Sequence, residues 1–325
     1  MSKVRQRKQK EKQERRCADG MPKTELAIQL SGPFSFKNKI TPGLRVKGLA
    51  SPESLVQDDR GNLYTGLHDG RIVRNKPSDD GRIGAGDVVN VTSVFIKNIP
   101  RATERVDHGR PLGLRLQGDT LYVADPNYGI YSLNTHSGKV KTLVKVNDVN
   151  PSLGYTDDLD VSKDGKYIYF SDVTSLHSDK IMYGIYSGVC DGRVLRYSTE
   201  NEEIRTVVDN LCVANGVQLS QDDKLLFVSE TMQCAIKVID LSTLKILKIV
   251  NVPIFPDNIR PTGKGTYWIA GGSLRTPWHS FLERNPVVRQ IASGLLSEYY
   301  ITKLMLQFRE YGMVLEMNEN SSVTT

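Results

Sequence analysis

Side chains with carboxylate or amide oxygens recur at one position of a repeated sequence unit. They are Glu53, Asp157 with its neighbour Asp158, Asn215, and Asp257 with its neighbour Asn258. Calcium binds about six to eight such oxygen atoms, whereas zinc prefers histidine and cysteine. Carboxylates that the fold brings together repel one another unless a divalent cation compensates them. The sequence therefore predicts a calcium site, and the alternative is that each Asp or Asn only caps a turn.

The elements that carry these residues belong to a unit that occurs five times. Each copy has a short apolar strand, a polar turn and a second, aromatic-rich strand. The copies start at Ser51, Arg110, Thr156, Ala214 and Pro256, and their turns contain Gly61 and Asn62, Gly118 and Asp119, Asp164 and Gly165, Asp222 and Asp223, and Gly263 and Lys264. Such pairs tolerate the positive φ that tight hairpins need. Each copy therefore predicts two antiparallel strands.

The spacing between copies, roughly 40 to 60 residues, fits four-stranded blades. We predict an all-β fold, a six-bladed β-propeller of four-stranded blades over residues 26–317 that lacks most of its final blade. The innermost strands of a propeller run along its central channel in one direction, so the candidate side chains would meet at one mouth of the channel. Because only five copies are found, the sequence predicts a truncated product or incomplete gene model with an open sheet edge.

Basic residues are concentrated at the start of the chain. Residues 3–16 hold eight Lys or Arg and two Glu, and this segment alone accounts for the formal net charge of +6. We expect residues 1–25 to form a disordered basic tail, residues 318–325 to be disordered, and the nearly neutral body to bind no nucleic acid. No apolar run of roughly 18 residues is present, so the chain as given predicts no signal peptide and no transmembrane helix.

Residues 278–309 change to an apolar spacing typical of helices. Two interpretations stay open, a helical insertion packed on the propeller or an amphipathic element in contact with a membrane. The basic tail is a second candidate for membrane association. The protein is otherwise expected to be a monomer.

The four cysteines, Cys17, Cys190, Cys212 and Cys234, lack the spacing of a zinc site. Cys212 and Cys234 lie in or beside apolar strands, where a buried free thiol is the usual state, and one disulfide is compatible with a lumenal domain. Two glycosylation triplets, at Asn90 and Asn320, favour a secretory glycoprotein only weakly.

Six segments carry a resemblance to a known family: GRPLGL, LYVAD, DGRVLRY, NGVQLS, LLFVSET and FPDNIRP. In this order, over residues 32 to 317, the chain resembles the strictosidine synthase-like family, which is similar in fold to paraoxonases and gluconolactonases. The resemblance implies a six-bladed propeller with calcium in its channel, held by Glu53, Asn215 and Asp257 with Asn258 beside it. Asp157 stands where relatives usually carry Asn. The family also implies the endoplasmic reticulum or plasma membrane, with a lumenal propeller.

Three departures from the family pattern limit what the resemblance implies. Leu112 occupies the place of the histidine proposed as a base in paraoxonase-like enzymes, and Ser54 the place of an acidic ligand to their second calcium. The catalytic glutamate of true strictosidine synthases lies in a final blade that this chain lacks. His68 and His108 are expected to be ordinary loop residues.

The favoured function is a calcium-dependent esterase or lactonase of the arylesterase type, in which Asp157 or Glu53 activates a water and an ester or lactone is the small-molecule substrate. A serine hydrolase is disfavoured because no G-x-S-x-G motif is present. One alternative is a non-catalytic, calcium-stabilised propeller that binds a protein or lipid partner. A second alternative is a carbon-nitrogen lyase or synthase of the strictosidine synthase type.

Overall fold

A computed structural model describes residues 30–35, 46–91, 108–176, 188–296, 299–300 and 312–323, together with residues 181 and 185. Contacts divide the chain into two compact units. One comprises residues 37–178 and 194–207, and the other comprises residues 1–36, 179–193 and 208–325. The predicted basic tail lies outside the described residues.

The first unit contains two four-stranded sheets and most of a third, each with strands in chain order. The first sheet is β1 (Leu55–Gln57), β2 (Leu63–Gly66), β3 (Ile72–Asn75) and β4 (Val88–Asn90). The second is β5 (Gly113–Gln117), β6 (Thr120–Asp125), β7 (Gly129–Asn134) and β8 (Val140–Val144). The third is β9 (Thr156–Val161), β10 (Tyr167–Asp172), β11 (Gly192–Ser198) and β12 (Ile204–Leu211), of which β11 and β12 cross the boundary between the units.

The second unit contains a four-stranded sheet, a three-stranded sheet and two helices. The fourth sheet is β13 (Ala214–Leu219), β14 (Leu225–Glu230), β15 (Ala235–Asp240) and β16 (Lys245–Asn251). The fifth is β17 (Ile254–Pro261), β18 (Thr266–Leu274) and β19 (Met313–Asn318). Helices α1 (Pro277–Arg284) and α2 (Pro286–Leu295) follow β18.

Apolar side chains fill the space between consecutive sheets within each unit. In the first unit, Tyr64 and Ile72 of the first sheet pack with Leu114 and Tyr131 of the second. A second cluster joins Ile130 and Val144 of the second sheet to Leu159 and Phe170 of the third. In the other unit, Phe227 and Ile236 of the fourth sheet pack with Ile259, Tyr267 and Leu315 of the fifth. β10 and β14 are buried on both faces, whereas β18 and β19 alternate between buried and more exposed side chains.

The five predicted turns are confirmed. Each contains one residue in the left-handed region of backbone conformation. The φ values are 80° at Gly61, 57° at Gly118, 71° at Gly165, 56° at Asp223 and 76° at Gly263. Each connects antiparallel neighbours, as in the β1–β2, β5–β6 and β17–β18 pairs. The pairs of Gly, Asn and Asp were therefore a reliable local signal for the hairpins.

The prediction of six blades is corrected to five among the described residues, and the fifth sheet has three strands there. Residues 318–323 were expected to be disordered. They form a turn instead, because Asn318 donates its backbone N–H to the Ser322 carbonyl and Met317 bridges to Val323. The predicted helical insertion is confirmed over α1 and α2, while most of residues 297–311 lie outside the described residues.

Candidate functional site

The candidate residues of three sheets lie at β-bulges on the first strands. On β9 the extra residue falls between Thr156 and Leu159, a stretch that contains Asp157 and Asp158. The same irregularity on β13 falls between Ala214 and Val217 and contains Asn215. A β-bulge bends its strand and changes the direction of the side chains it carries. The repeat therefore places oxygen-bearing side chains where the strand is locally re-aimed.

The third bulge lies on β17, between Pro256 and Ile259, and it contains Asp257 and Asn258. The equivalent positions of the first two sheets differ. β5 pairs without a shift from Gly113 onward, and the buried Leu112 precedes it. Bulges therefore accompany the Asp and Asn positions and are absent at the described leucine position.

Glu53 lies two residues before β1 and is half-buried. Its backbone N–H donates to the carbonyl of Gly66, at a distance of 3.3 Å. Ser54, which follows it, is buried. Glu53 thus occupies the entrance to the first strand of its sheet, as the repeat predicted, but outside the regular strand.

Gly216 shows that β13 and β17 touch at the candidate position. A Cβ atom added to Gly216 would lie 2.4 Å from the carbonyl oxygen of Asp257 and 2.8 Å from the Cα of Asn258. Such distances leave no room for a side chain. Asn215, next to Gly216, is therefore carried on a strand whose backbone packs directly against Asp257 and Asn258.

Gly113 makes the equivalent contact in the other unit. A Cβ atom there would lie 2.6 Å from the carbonyl oxygen of Asp157 and 2.6 Å from the Cα of Asp158. The same interstrand contact thus occurs in both units, and each time it involves the bulge that carries the candidate side chains.

The side-chain oxygen Oδ1 of Asn215 is buried and has no hydrogen-bond partner among the described residues. The Asp257 and Asn258 side chains nearby in the same unit are half-buried. Burying an unsatisfied acceptor costs about 1–3 kcal/mol, so a cation or a bound water is the expected complement to this atom. The oxygen chemistry of these three residues fits calcium.

Tyr155 connects Glu53 and Asp157 electrostatically. Burial raises the pKa of the Tyr155 phenol well above its usual value, and the negative charges of Asp157 and Glu53 act in the same direction. Arg110 opposes them. The phenol is therefore protonated at neutral pH in the neighbourhood of both predicted carboxylates. Sequence reasoning missed Tyr155, although it directly precedes the strand that carries Asp157.

Asp158 is committed to an internal ion pair. It is fully buried, and its Oδ1 atom lies 3.3 Å from Nη1 of Arg115. Nε of the same Arg115 lies 3.2 Å from Asp160. A buried carboxylate needs such a counter-charge. Of the two adjacent aspartates, the structure therefore separates Asp158, held by Arg115, from the predicted ligand Asp157.

Three carboxylates at the ends of the second strands hold the backbone that leads into the first strands. Asp125 accepts hydrogen bonds from the backbone N–H groups of Arg110, Asn127 and Tyr128. The residues that take its place in the next two sheets are Asp172, which accepts from Gly154 and Tyr155, and Glu230, which accepts from Cys212. These residues were also missed, although aligning LYVAD, IYFSD and LFVSE would have revealed one shared acidic position.

The cysteine prediction needs one correction. Cys212 is not a free thiol but forms a disulfide with Cys190, while Cys234 is free and buried as expected. The bond joins the segment before β11 to the residues just before β13. Glu230 holds the same segment, because its Oε1 atom accepts a hydrogen bond from the backbone N–H of Cys212. Its Oε2 atom forms a 2.8 Å ion pair with Lys237, which fixes the Glu230 side chain. The entrance to the Asn215 strand is therefore fixed covalently and by hydrogen bonding.

The two histidines considered in the sequence lie outside the candidate set. His68 and His108 are exposed, and their rings meet edge to face at 6.1 Å. Within the described ranges, no group of three or more His, Cys, Asp and Glu side chains is placed to hold a metal. The three predicted carboxylate ligands, Glu53, Asp157 and Asp257, are among the described residues and form no such group.

Solved structures with the same fold define the class of protein. The gluconolactonase of Xanthomonas campestris aligns with a TM-score of 0.54 at 15% sequence identity, over 85% of this chain and 75% of that chain. A chain of the nidogen/laminin complex aligns with a TM-score of 0.51 at 13% identity, over 69% of this chain and 73% of that chain. With five meander sheets among its described residues, the protein is an all-β propeller.

Sequence comparison then gives the family. The family model for strictosidine synthase matches residues 157–239, and that for the strictosidine synthase-like N-terminal region matches residues 44–75. The adipocyte plasma membrane-associated protein of Danio rerio is 34% identical to this chain, over 84% of this chain and 66% of that protein. The protein of the same name from Salmo salar is 32% identical, over 89% of this chain and 70% of that protein. Strictosidine synthase-like 13 of Arabidopsis thaliana is 32% identical, over 84% and 70%. The chain belongs to the strictosidine synthase-like family, and it spans about two thirds of the length of the first of these relatives.

Proposed function

We propose that this protein is a calcium-dependent hydrolase of esters or lactones whose calcium ligands are Glu53, Asp157, Asn215, Asp257 and Asn258. The observation that carries the proposal is the Oδ1 atom of Asn215, which is buried without a hydrogen-bond partner among the described residues. Its strand is in backbone contact with Asp257 and Asn258. Bulges at these positions and at Asp157 support it, because an ordinary turn cap does not require a re-aimed strand.

The chemistry follows from the types of residue available. Bound calcium would polarise the carbonyl group of the substrate. Asp157 or Glu53 would accept the proton of the attacking water, a role that suits a carboxylate within hydrogen-bond reach of that water. Tyr155 keeps its proton at neutral pH and can donate a hydrogen bond to an oxygen that gains negative charge.

The residue Leu112 favours a second candidate function, that of a non-catalytic binding protein. The position that would carry a histidine base in paraoxonase-like relatives holds a buried leucine, which has no acid-base chemistry. In this second candidate, calcium only stabilises the propeller, and the protein binds a protein or lipid partner. The two candidates share the metal site and differ in whether the protein turns over a substrate.

Hydrolysis of an aryl ester and of a simple lactone by the purified chain separates them. Rates are measured with calcium, with excess chelator, and for Asp257→Ala, with the exposed turn variant Asp59→Ala as the matched control. The proposal expects turnover that requires calcium, falls by about 100-fold or more in Asp257→Ala and is unchanged in Asp59→Ala. A folded protein that is stabilised by calcium but hydrolyses neither substrate contradicts the hydrolase and supports the non-catalytic candidate.

A further inference from the structure

Helices α1 and α2 expose large apolar side chains. On α2, Val287, Val288, Ile291 and Leu295 are all exposed, and Leu295 retains 80% of its accessible surface. Their spacing places them within about 100° of one another around a helix of 3.6 residues per turn. They therefore form one continuous stripe rather than scattered exposed positions.

Aromatic side chains are also exposed on α1 and beyond α2. Trp278 and Phe281 stack on each other, with ring centroids 5.4 Å apart, yet both are more than 40% exposed. Tyr299 and Tyr300 are also exposed. We call the exposed side chains of α1 and α2, namely Trp278, Phe281, Val287, Val288, Ile291 and Leu295, the helical apolar surface.

The opposite side of α1 is anchored in the protein. Arg275 pairs with Glu283, and Leu282 is buried. The backbone N–H of Thr276 donates to Nδ1 of His279 at 3.1 Å, which caps the start of α1. A fixed inner side means that the apolar side chains of α1 face outward because of the fold, and not because the helix is loosely attached.

The charges of this region are distributed in a way that selects a partner. Glu283 is the only acidic residue between positions 277 and 296, and its side chain is 11% exposed and paired with Arg275. Arg289 is buried, whereas Arg284 is exposed. Over the described residues of α1 and α2, the surface presents aliphatic and aromatic groups with one accessible positive charge and no accessible carboxylate, and the next acidic residue in the sequence is Glu298.

We propose that the helical apolar surface lies on a lipid bilayer that contains anionic headgroups. Tryptophan and tyrosine are enriched at the membrane interface, aliphatic side chains bury in the acyl boundary, and a positive charge without competing carboxylates suits anionic lipids. The face contacts the bilayer from one side. Among the described residues, no helix has the length and apolar character needed to cross one.

The first test measures sedimentation of the full chain with vesicles of phosphatidylcholine and with vesicles that also contain phosphatidylserine. The variant Val287→Asp/Ile291→Asp is compared with Leu247→Asp/Ile249→Asp. The control pair is on β16 of the same unit and is 60% and 54% exposed, close to the 65% and 56% of the test pair. We expect the helix variant to lose vesicle affinity by about tenfold or more and the control to keep it, because an aspartate on the contact face opposes both burial and anionic lipid.

A second readout uses the two tryptophans, Trp268 and Trp278. In Trp268→Phe the remaining Trp278 should shift its emission to shorter wavelength when vesicles are added. In Trp278→Phe, Trp268 should not shift, because its register partners on the neighbouring strands are the charged Arg260 and Glu316.

Three results would overturn the proposal. They are equal sedimentation of the helix variant and the control, no vesicle binding of the folded wild type, and an unshifted Trp278. Light scattering adds a fourth: if the helix variant abolishes self-association while vesicles bind nothing, the surface is occupied by a second copy of the chain.

Discussion

Asn215 shows at the scale of single residues what the structure adds to a sequence position. The repeat identified Asn215 as a candidate ligand, but only the packing reveals that its Oδ1 atom is buried and has no hydrogen-bond partner in the part of the chain that the structure describes. Its neighbour Gly216 is what allows β17 to approach. A buried acceptor of this kind costs about 1–3 kcal/mol unless a ligand satisfies it, which is why Asn215 weighs more than the other amides in the assignment.

Asp125 gives a residue-scale prediction about pH. Burial raises the pKa of the Asp125 carboxyl from 3.8 to about 7. Between these values the folded protein holds a proton that the unfolded chain has lost, so this group's stabilisation is complete below pH 4 and is lost as the pH rises through 7. Its contribution to the free energy of unfolding should fall by about 1.4 kcal/mol per pH unit in that window.

Urea unfolding of wild type and Asp125→Asn at several pH values from 4.5 to about 7.5 checks this. The stability difference between the two proteins should shrink as pH rises, because the variant lacks the titrating group. Asp59→Asn, at an exposed turn, should follow the wild-type profile. Parallel profiles for wild type and Asp125→Asn would show that Asp125 does not hold its proton in the folded state.

At the scale of elements, the hairpins and the positions of the candidate residues could be predicted, but the bulges could not. The turn pairs act locally, through the φ that Gly61 or Asp223 can adopt. A bulge depends on how two strands pair, and nothing in the residues around Asp157 announces the extra residue. The sequence left one disulfide open, but the pairing of Cys190 with Cys212 could not be chosen because it depends on how the segment before β11 packs beside the start of β13.

The contact between β13 and β17 predicts a large cost for one added methyl group. In Gly216→Ala the new Cβ would meet backbone atoms of Asp257 and Asn258 at 2.4–2.8 Å, and backbone cannot move aside as a flexible side chain can. We expect a loss of roughly 1–3 kcal/mol in the free energy of unfolding. Gly272→Ala, in the same unit, is the matched control, since nothing lies within 4 Å of its Cβ position.

Chemical denaturation of both variants measures the effect. The control should stay within about 0.5 kcal/mol of wild type. Equal stability of Gly216→Ala and Gly272→Ala would mean that the two first strands are not in the close contact from which the position of Asn215 is argued.

At the scale of the whole molecule, the repeat predicted the all-β class and the five sheets that the structure describes, whereas the number six is what the family resemblance implies. Within one unit, Gly216, the neighbour of Asn215, packs against the backbone of Asp257 and Asn258. Within the other, the negative charges of Glu53 and Asp157 both raise the pKa of the Tyr155 phenol. That all five side chains bind one ion remains a proposal drawn from their equivalent places in the repeat.

The most direct test of that claim is a calorimetric calcium titration of the wild type and of Glu53→Ala, Asp157→Ala, Asn215→Ala and Asp257→Ala, with Asp59→Ala as the control. One calcium per chain should bind to the wild type and the control, and each ligand variant should bind at least about tenfold more weakly. Asn215→Ala should also unfold in chelator with undiminished stability, because the unsatisfied oxygen is removed. Binding that is absent from the wild type, or that survives all four substitutions, would contradict the calcium site.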